Sequence, residues 1–240
     1  MTASRPPNPA DYRDAVSTGW WFGRLPAGLQ DMLLDSAVPV ALDTGQRLFS
    51  RGDAYDGIYC VLKGSLRIIG VSESGKEAML AILEPCNWFG EIALFDGLAR
   101  THDVIADSAS LVLRVPKAAL EKALAAQPGW WYWFGLLQSQ KMRFAFIALE
   151  EAALLPAPVR VARRLAFIAE GYGAWSGRTR RVLPLPQEQL ASMLSLSRQT
   201  INQVLKQLEA QGLIRLNYRE MEILDLDGLR QAGVPNDRTD

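Results

Sequence analysis

Leu185 to Ile214 reads LPQEQLASMLSLSRQTINQVLKQLEAQGLI, and this stretch decides the fold of the C-terminal third. Leu190, Met193 and Leu194 recur at helical spacing within Gln187–Leu194. Ser195-Leu196-Ser197 is too short for a loop and too polar for a helix interior, so it reads as a turn. Ser197 can N-cap a second helix, because its hydroxyl accepts from a first-turn N–H. Ile201, Val204, Leu205 and Leu208 form that helix's buried stripe, and Gly212 stops it in the left-handed region. Two short helices on a three-residue turn are a helix-turn-helix. Its second helix leaves Arg198, Gln199, Asn202, Gln203 and Lys206 on a polar face. Arg is bidentate to guanine and Asn or Gln to adenine, so this face can read a major groove; the alternative is a solvated amphipathic pair.

The flanks extend the motif. Arg180–Leu185, Leu213–Leu216 and Met221–Leu226 can be strands, the last two around the turn Asn217-Tyr218-Arg219-Glu220. That pattern is a winged helix-turn-helix, with Arg215, Tyr218 and Arg219 either touching phosphate or standing as ordinary turn residues. Charge points the same way. The net charge is zero, 26 basic against 26 acidic residues, yet Pro156–Glu220 holds ten Lys/Arg against four Asp/Glu. A basic end on an acidic body suits a polyanion.

Composition sets outer limits. At 240 residues, 49% hydrophobic and 22% charged, the chain has an ordinary globular composition with room for one large or two smaller domains. No apolar run reaches the ~20 residues of a membrane helix, and Met1–Asp11, with three prolines, reads as a loose arm rather than a leader. Cys60 and Cys86 form no framework and no CxxC, which fits a reducing cytoplasm and excludes zinc ribbons and Cys-ligated clusters; no metal and no resident cofactor is expected. No paired-carboxylate or nucleophile constellation supports an enzyme, so a nucleotide-acting hydrolase is a remote alternative.

Asp14–Ser36 contains short helical patches, with Trp20, Trp21, Phe22 and Leu25 packing on the body. From Val40 to Val115 short apolar runs alternate with turns: Arg47–Phe49, Gly57–Leu62, Ser65–Val71, Ala78–Leu83, Glu91–Phe95 and Leu111–Val115. Such spacing predicts an antiparallel sandwich or roll, with Gly52-Asp53 and Ser74-Gly75 as turns. Pro116 opens a helix to about Ala126, and Pro128 opens a longer one to about Leu155. The longer helix is apolar on more than one face, so it needs more than one surface to bury: the roll on one side and a parallel partner helix of a homodimer on the other, the alternative being a helix buried within one subunit. The Trp130–Phe134 cluster reads as packing. Pro156 and Pro158 mark a hinge, and Val159–Glu170 forms a basic helix with Val161, Leu165, Phe167 and Ile168 inward and Arg160, Arg163 and Arg164 outward.

Between strands lies Asn87-Trp88-Phe89-Gly90-Glu91-Ile92-Ala93-Leu94-Phe95, continuing to Arg100-Thr101. Gly90 admits a close ligand, N–H groups after Glu91 can face phosphate if a helical turn forms, Arg100 can neutralise it, Thr101 adds a hydroxyl and Glu91 can accept from a ribose.

In this order of parts the chain resembles the cAMP receptor protein family, also called Crp/Fnr, over about Ala37–Leu226. Gly52-Asp53 with Tyr59-Cys60-Val61-Leu62-Lys63-Gly64, Phe89 to Phe95 with Arg100-Thr101, and Leu190–Leu208 carry the resemblance. It implies an α+β chain: an arm with short helices (1–36), a cyclic-nucleotide-binding-like β-roll or jelly roll (37–127), a dimerisation helix (128–155) and a winged helix-turn-helix (156–240). It implies an effector site of Gly90, Glu91, Ile92, Ala93, Arg100, Thr101 and Phe146, with Glu91 on the ribose and Arg100 and Thr101 on the cyclic phosphate. It implies DNA contacts from Ser197, Arg198, Gln199, Thr200, Gln203 and Lys206. Ala93 stands where the family has glycine or serine, and Ala145 and Phe146 stand where it offers polar groups to adenine; Phe146 could stack on a base instead. His102 follows as a ligand contact or a plain loop residue. The expected molecule is a cytoplasmic homodimeric regulator that binds a palindromic DNA site. Its effector is cAMP or another cyclic nucleotide, and RNA polymerase is a further expected partner. The alternative is a regulator of the same architecture that needs no ligand or takes one such as cyclic di-GMP.

Overall fold

The computed structural model describes residues 12–73, 75, 77–171 and 179–235. The expected arm at 1–11, Ser74 of the Ser74-Gly75 turn and most of the 171–177 loop lie outside them. The chain divides into two compact units, Met1–Lys141 and Met142–Asp240.

The first unit is a roll of two four-stranded antiparallel sheets. The strands are β1 (Val38–Leu42), β2 (Arg47–Phe49), β3 (Gly57–Lys63), β4 (Leu66–Val71), β5 (Glu77–Leu83), β6 (Trp88–Phe89), β7 (Asp103–Ala106) and β8 (Ser110–Pro116). One sheet runs β1-β8-β3-β6 and the other β2-β7-β4-β5. The period of two decides where side chains go. On β3, Tyr59 and Val61 enter the roll, where they meet Leu66, Leu83, Val104 and Val112. Ile58 and Cys60 point out of the same sheet into a second core with Trp21, Phe22, Leu29, Leu33, Leu120 and Phe134. Both faces of β3 are covered, so the strand is an apolar run without alternation.

Helices close that outer core. They are α1 (Arg13–Ser17), α2 (Ala27–Asp35), α4 (Lys117–Ala126) and the start of α5 (Trp131–Leu154); α3 (Ile92–Asp96) belongs to the loop after β6. Trp21 Nε1 donates to the Trp133 carbonyl at 2.7 Å, which ties the N-terminal segment to α5. Glu91–Phe95 was expected as a strand and is instead α3 with its entry residue. Gly90 takes φ +88, which ends β6, and Gly97 at φ +68 closes the short helix in the left-handed region. The run is also too short for periodicity to separate helix from strand. Val38–Leu42 and Asp103–Ala106 are strands that the apolar pattern did not mark out.

The second unit holds the rest of α5, then α6 (Ala157–Ala169), β9 (Val182–Leu183), α7 (Gln187–Leu194), α8 (Arg198–Ala210), β10 (Ile214–Asn217), β11 (Glu220–Ile223) and α9 (Leu226–Ala232). The strands form an antiparallel β10-β11-β9 sheet. Val161, Leu165 and Ile168 of α6 are buried as expected, and Phe167 packs edge-on against Phe144 of α5. Arg160 and Arg163 depart from the expected outward position. Arg160 Nη2 donates to the Leu194 carbonyl at 2.5 Å, satisfying one of the four carbonyls that end α7. Arg163 Nε donates to the Gly233 carbonyl at 2.6 Å and Nη1 to Glu151 at 3.1 Å. These cations are used inside the fold rather than offered to a partner.

Candidate functional site

The loop from β6 to β7 carries Gly90, Glu91, Ile92, Ala93, Arg100 and Thr101, six of the seven expected effector residues. A side chain at Gly90 would be strained at φ +88, and its Cβ, 2.8 Å from Arg100 Nη1, would force the guanidinium to shift. Arg100 is buried, at 4% exposure, and its guanidinium is wrapped by acceptors. Nη1 donates to the Gly90 carbonyl at 3.0 Å, and Nη2 donates to the Gly57 carbonyl and to Asp56 Oδ1, each at 2.6 Å. Its cation sits 4.3 Å from the ring centroid of Phe49 and 5.2 Å from that of Tyr55. Arg100 Nε and the buried Tyr55 hydroxyl have no partner among the described residues. A buried donor without an acceptor is costly, of order 1–3 kcal/mol, and marks a place where an anion or water would be welcome.

Glu91 is 1% exposed, and its Oε2 accepts from Lys141 Nζ of α5 at 2.5 Å. It stands at the entry of α3, whose first N–H groups, from Ile92 and Ala93, have no intrahelical acceptor. Ala93 is buried and Ile92 is exposed. Thr101 lies at the rim: its carbonyl accepts from Arg51 Nε at 2.7 Å, and its hydroxyl shares a 2.9 Å bond with His102 Nδ1. His102 is held below its ordinary range, first by burial and then by the Arg51 charge, so the ring is neutral at pH 7. Phe146 stands on the second unit's part of α5 with 64% of its surface exposed.

Asp56 and Lys141 were not found from the sequence. Each contacts a residue of the Phe89–Thr101 segment, the effector cassette, that is 44 or 50 positions away, and no local spacing signals that. Asp56 accepts from Tyr59 Oη at 2.6 Å as well as from Arg100. Burial alone would raise its pKa, but those two hydrogen bonds and the Arg100 charge hold it below the usual carboxylate range.

The second candidate surface is α8. Ser197 caps it as expected, accepting from Thr200 N at 3.0 Å, and its hydroxyl also meets Thr200 Oγ1 at 2.8 Å. Ile201, Val204, Leu205 and Leu208 are buried, which turns Arg198, Gln199, Gln203 and Lys206 outward. Arg198 is paired with Glu188 of α7, and Asn202 Nδ2 donates to Gln187 Oε1 at 3.3 Å. On the wing Arg215 is tied to Glu222 at 2.7 Å, Arg219 takes the left-handed turn position at φ +60, and Tyr218 is fully presented to solvent. Glu188 went unnoticed in the sequence, because its tie to Arg198 spans the length of α7 and the turn after it.

Two family profiles match the chain: Cyclic nucleotide-binding domain over residues 39–127 and Crp-like helix-turn-helix domain over residues 159–232. The chain is similar to the transcriptional regulator SdrP of Thermus thermophilus, 30% identical over 73% of this chain and 83% of the relative. It is also similar to the CRP-like cAMP-activated global transcriptional regulator of Mycobacterium tuberculosis, 28% identical over 80% of this chain and 86% of the relative. Its fold matches FixK2 from Bradyrhizobium japonicum with a TM-score of 0.72 at 19% identity, covering 83% of this chain and 98% of that one.

Proposed function

As the chain belongs to the Crp/Fnr family of DNA-binding transcriptional regulators, we propose that it works as a homodimer whose grip on DNA is set by a cyclic nucleotide held in the roll. The observation that carries the effector reading is that one loop holds the buried Glu91 and Arg100, with Gly90 against the Arg100 guanidinium and a donor still unspent at Arg100 Nε. In this reading Glu91 accepts from the ribose and Arg100 and Thr101 face the cyclic phosphate. Ile92 and Ala93 contribute N–H groups, and Phe146 stacks on the base from α5. The relative described as cAMP-activated supports cAMP as the first candidate.

The dimer reading rests on α5. Met142, Phe146, Leu149 and Ala153 are exposed at steps of four, three and four, the spacing of a coiled-coil seam. Two copies joined there would set two α8 helices into half-sites about one helical turn apart. Ser197, Arg198, Gln199, Thr200, Gln203 and Lys206 then meet bases and phosphates. Such a regulator would act in the cytoplasm, with RNA polymerase as a further partner. Ligand binding would shift the balance between two poses of the reading helices only as far as it prefers one of them.

A second reading, a regulator that needs no ligand or uses another one, is favoured by a specific observation. Asp56 already neutralises Arg100, and Ala145 and Phe146 offer adenine no polar group. Calorimetric titration with cAMP, and with cGMP and cyclic di-GMP in parallel, separates the two. The first reading expects saturable cAMP binding at micromolar concentration, lost in Glu91→Gln. No heat with cAMP alongside intact sequence-specific DNA binding overturns it, and heat with another of the three moves the effector.

A further inference from the structure

The polar face of α8 is not free to choose its own orientation. Side chains from the first turn of α7 reach across the helix-turn-helix and hold two of its members. Gln187 Oε1 accepts from Asn202 Nδ2 at 3.3 Å, and Glu188 Oε1 accepts from Arg198 Nη2. Gln199, Gln203 and Lys206 have no such tie among the described residues.

We propose that Glu188 is a specificity-determining residue of the DNA-reading surface, acting by holding Arg198. The inference rests on Arg198 reading a guanine. A guanidinium has five N–H donors in one plane, and guanine is read by two of them side by side. Spending one Nη2 donor on a carboxylate constrains that plane and leaves one bidentate fork, the second Nη2 N–H with either Nε or Nη1, for O6 and N7. A free arginine at a helix start has many rotamers, several of which reach phosphate as readily as a base edge. Phosphate contacts add affinity without sequence information. The carboxylate therefore trades affinity for selectivity.

The pair matters more on DNA than off it. In the free protein both side chains are exposed, 74% for Arg198 and 68% for Glu188, so water screens them and the tie contributes little to folding. At a docked interface water is displaced and the same pair is stronger. Glu188 also cannot approach a phosphate backbone alone without repulsion. It is tolerated there because Arg198 compensates it. The two side chains should thus behave as one unit, and removing either should expose what the other was doing.

Selection from a pool of random duplexes with the full chain gives its preferred site. Competition titrations against that site and each single-base variant are then run for four proteins: the natural chain, Glu188→Gln, Arg198→Ala and the double variant. Glu188→Gln is close to isosteric at an exposed position, and a matching thermal melt shows that folding is kept. The expected result for Glu188→Gln is tighter binding to unrelated duplex, by about 2- to 5-fold, with preference at the Arg198-read base pair reduced by about 5-fold or more. The double variant is expected to bind better than Arg198→Ala alone, because the uncompensated carboxylate is gone. A uniform gain in affinity with every single-base preference intact overturns the proposal, as does strict additivity of the two changes. If Arg198→Ala itself leaves all preferences unchanged, the base-reading role of Arg198 falls and this inference with it. If Arg198→Ala erases one preference that Glu188→Gln leaves intact, only the role of Glu188 falls.

Discussion

Asp56 accepts from Tyr59, Arg100 and Arg114, so three donors share one carboxylate beside the cassette. Its pKa is lowered on folding. A depressed carboxylate adds stability above its unfolded pKa of about 3.9, and that stability is lost as pH falls through the lower folded value. Asp56→Asn should therefore flatten the acid limb of a urea-melt series between pH 7 and pH 2.5, below about pH 4. Because its partner Arg100 is only 3% exposed, the variant also leaves a buried cation less compensated, and the loss at pH 7 should be about 1–3 kcal/mol. The same variant tests whether Asp56 competes with an effector phosphate for Arg100. Calorimetry should then show cAMP affinity rising by about 2- to 5-fold. A fall would mean that Asp56 orients the guanidinium instead. Gly90, Glu91 and Arg100 lie in one short segment whose residue types suit an anion, but such residues are common in loops, and it was the family resemblance that singled them out. Asp56 and Lys141 were not legible, because their relation to that segment exists only once β3 and α5 pack beside it.

At the scale of elements, α8 was legible almost residue by residue. It has a cap, an apolar stripe, a glycine stop and enough length for the period to show. Ser197→Ala should remove the Thr200 N–H acceptor and cost about 1 kcal/mol, read as a lower urea midpoint for the second unit. The segment around α3 was misread as a strand because five residues carry less than two helical turns, and its boundaries are set by two left-handed glycines rather than by hydrophobic period. Gly90→Ala tests that cause. Alanine at φ +88 is strained, and its Cβ would press on the Arg100 guanidinium. The expected loss is about 1–3 kcal/mol in chemical denaturation, with cassette binding reduced alongside. Retained stability would mean that the loop can re-form with a different entry turn. The outward expectation for Arg160 and Arg163 failed for a related reason: a helical period says which face is apolar, but not that a neighbouring helix end needs donors for its carbonyls.

Across the whole chain, the sequence read correctly as a roll, a long helix and a winged helix-turn-helix, because each part has its own period and punctuation. What it could not separate were the roll's two cores, since β3 feeds both and an apolar run does not say which neighbour takes which face. The same ambiguity attends α5. Phe134 and Leu137 are its only buried residues among those described, while Met142, Phe146, Leu149 and Leu154 are more than half exposed. A helix of 24 residues with that much uncovered apolar surface would be a poor solution for a lone chain, and the proposed pairing with a second copy would cover it. Leu149→Glu puts a charge in the proposed seam while changing little within one chain, where the side chain is 66% exposed and the cost should stay near 0.5 kcal/mol. Sedimentation should report twice the 26.6 kDa chain mass for the natural protein and the single chain mass for the variant. Binding to a two-half-site duplex should fall to the level of a single half-site, because the effective concentration that one reading helix lends the other is lost. If Leu149→Glu still sediments as a dimer and keeps its affinity for the paired site, α5 is not the seam, and its exposed apolar stripe must be covered in some other way.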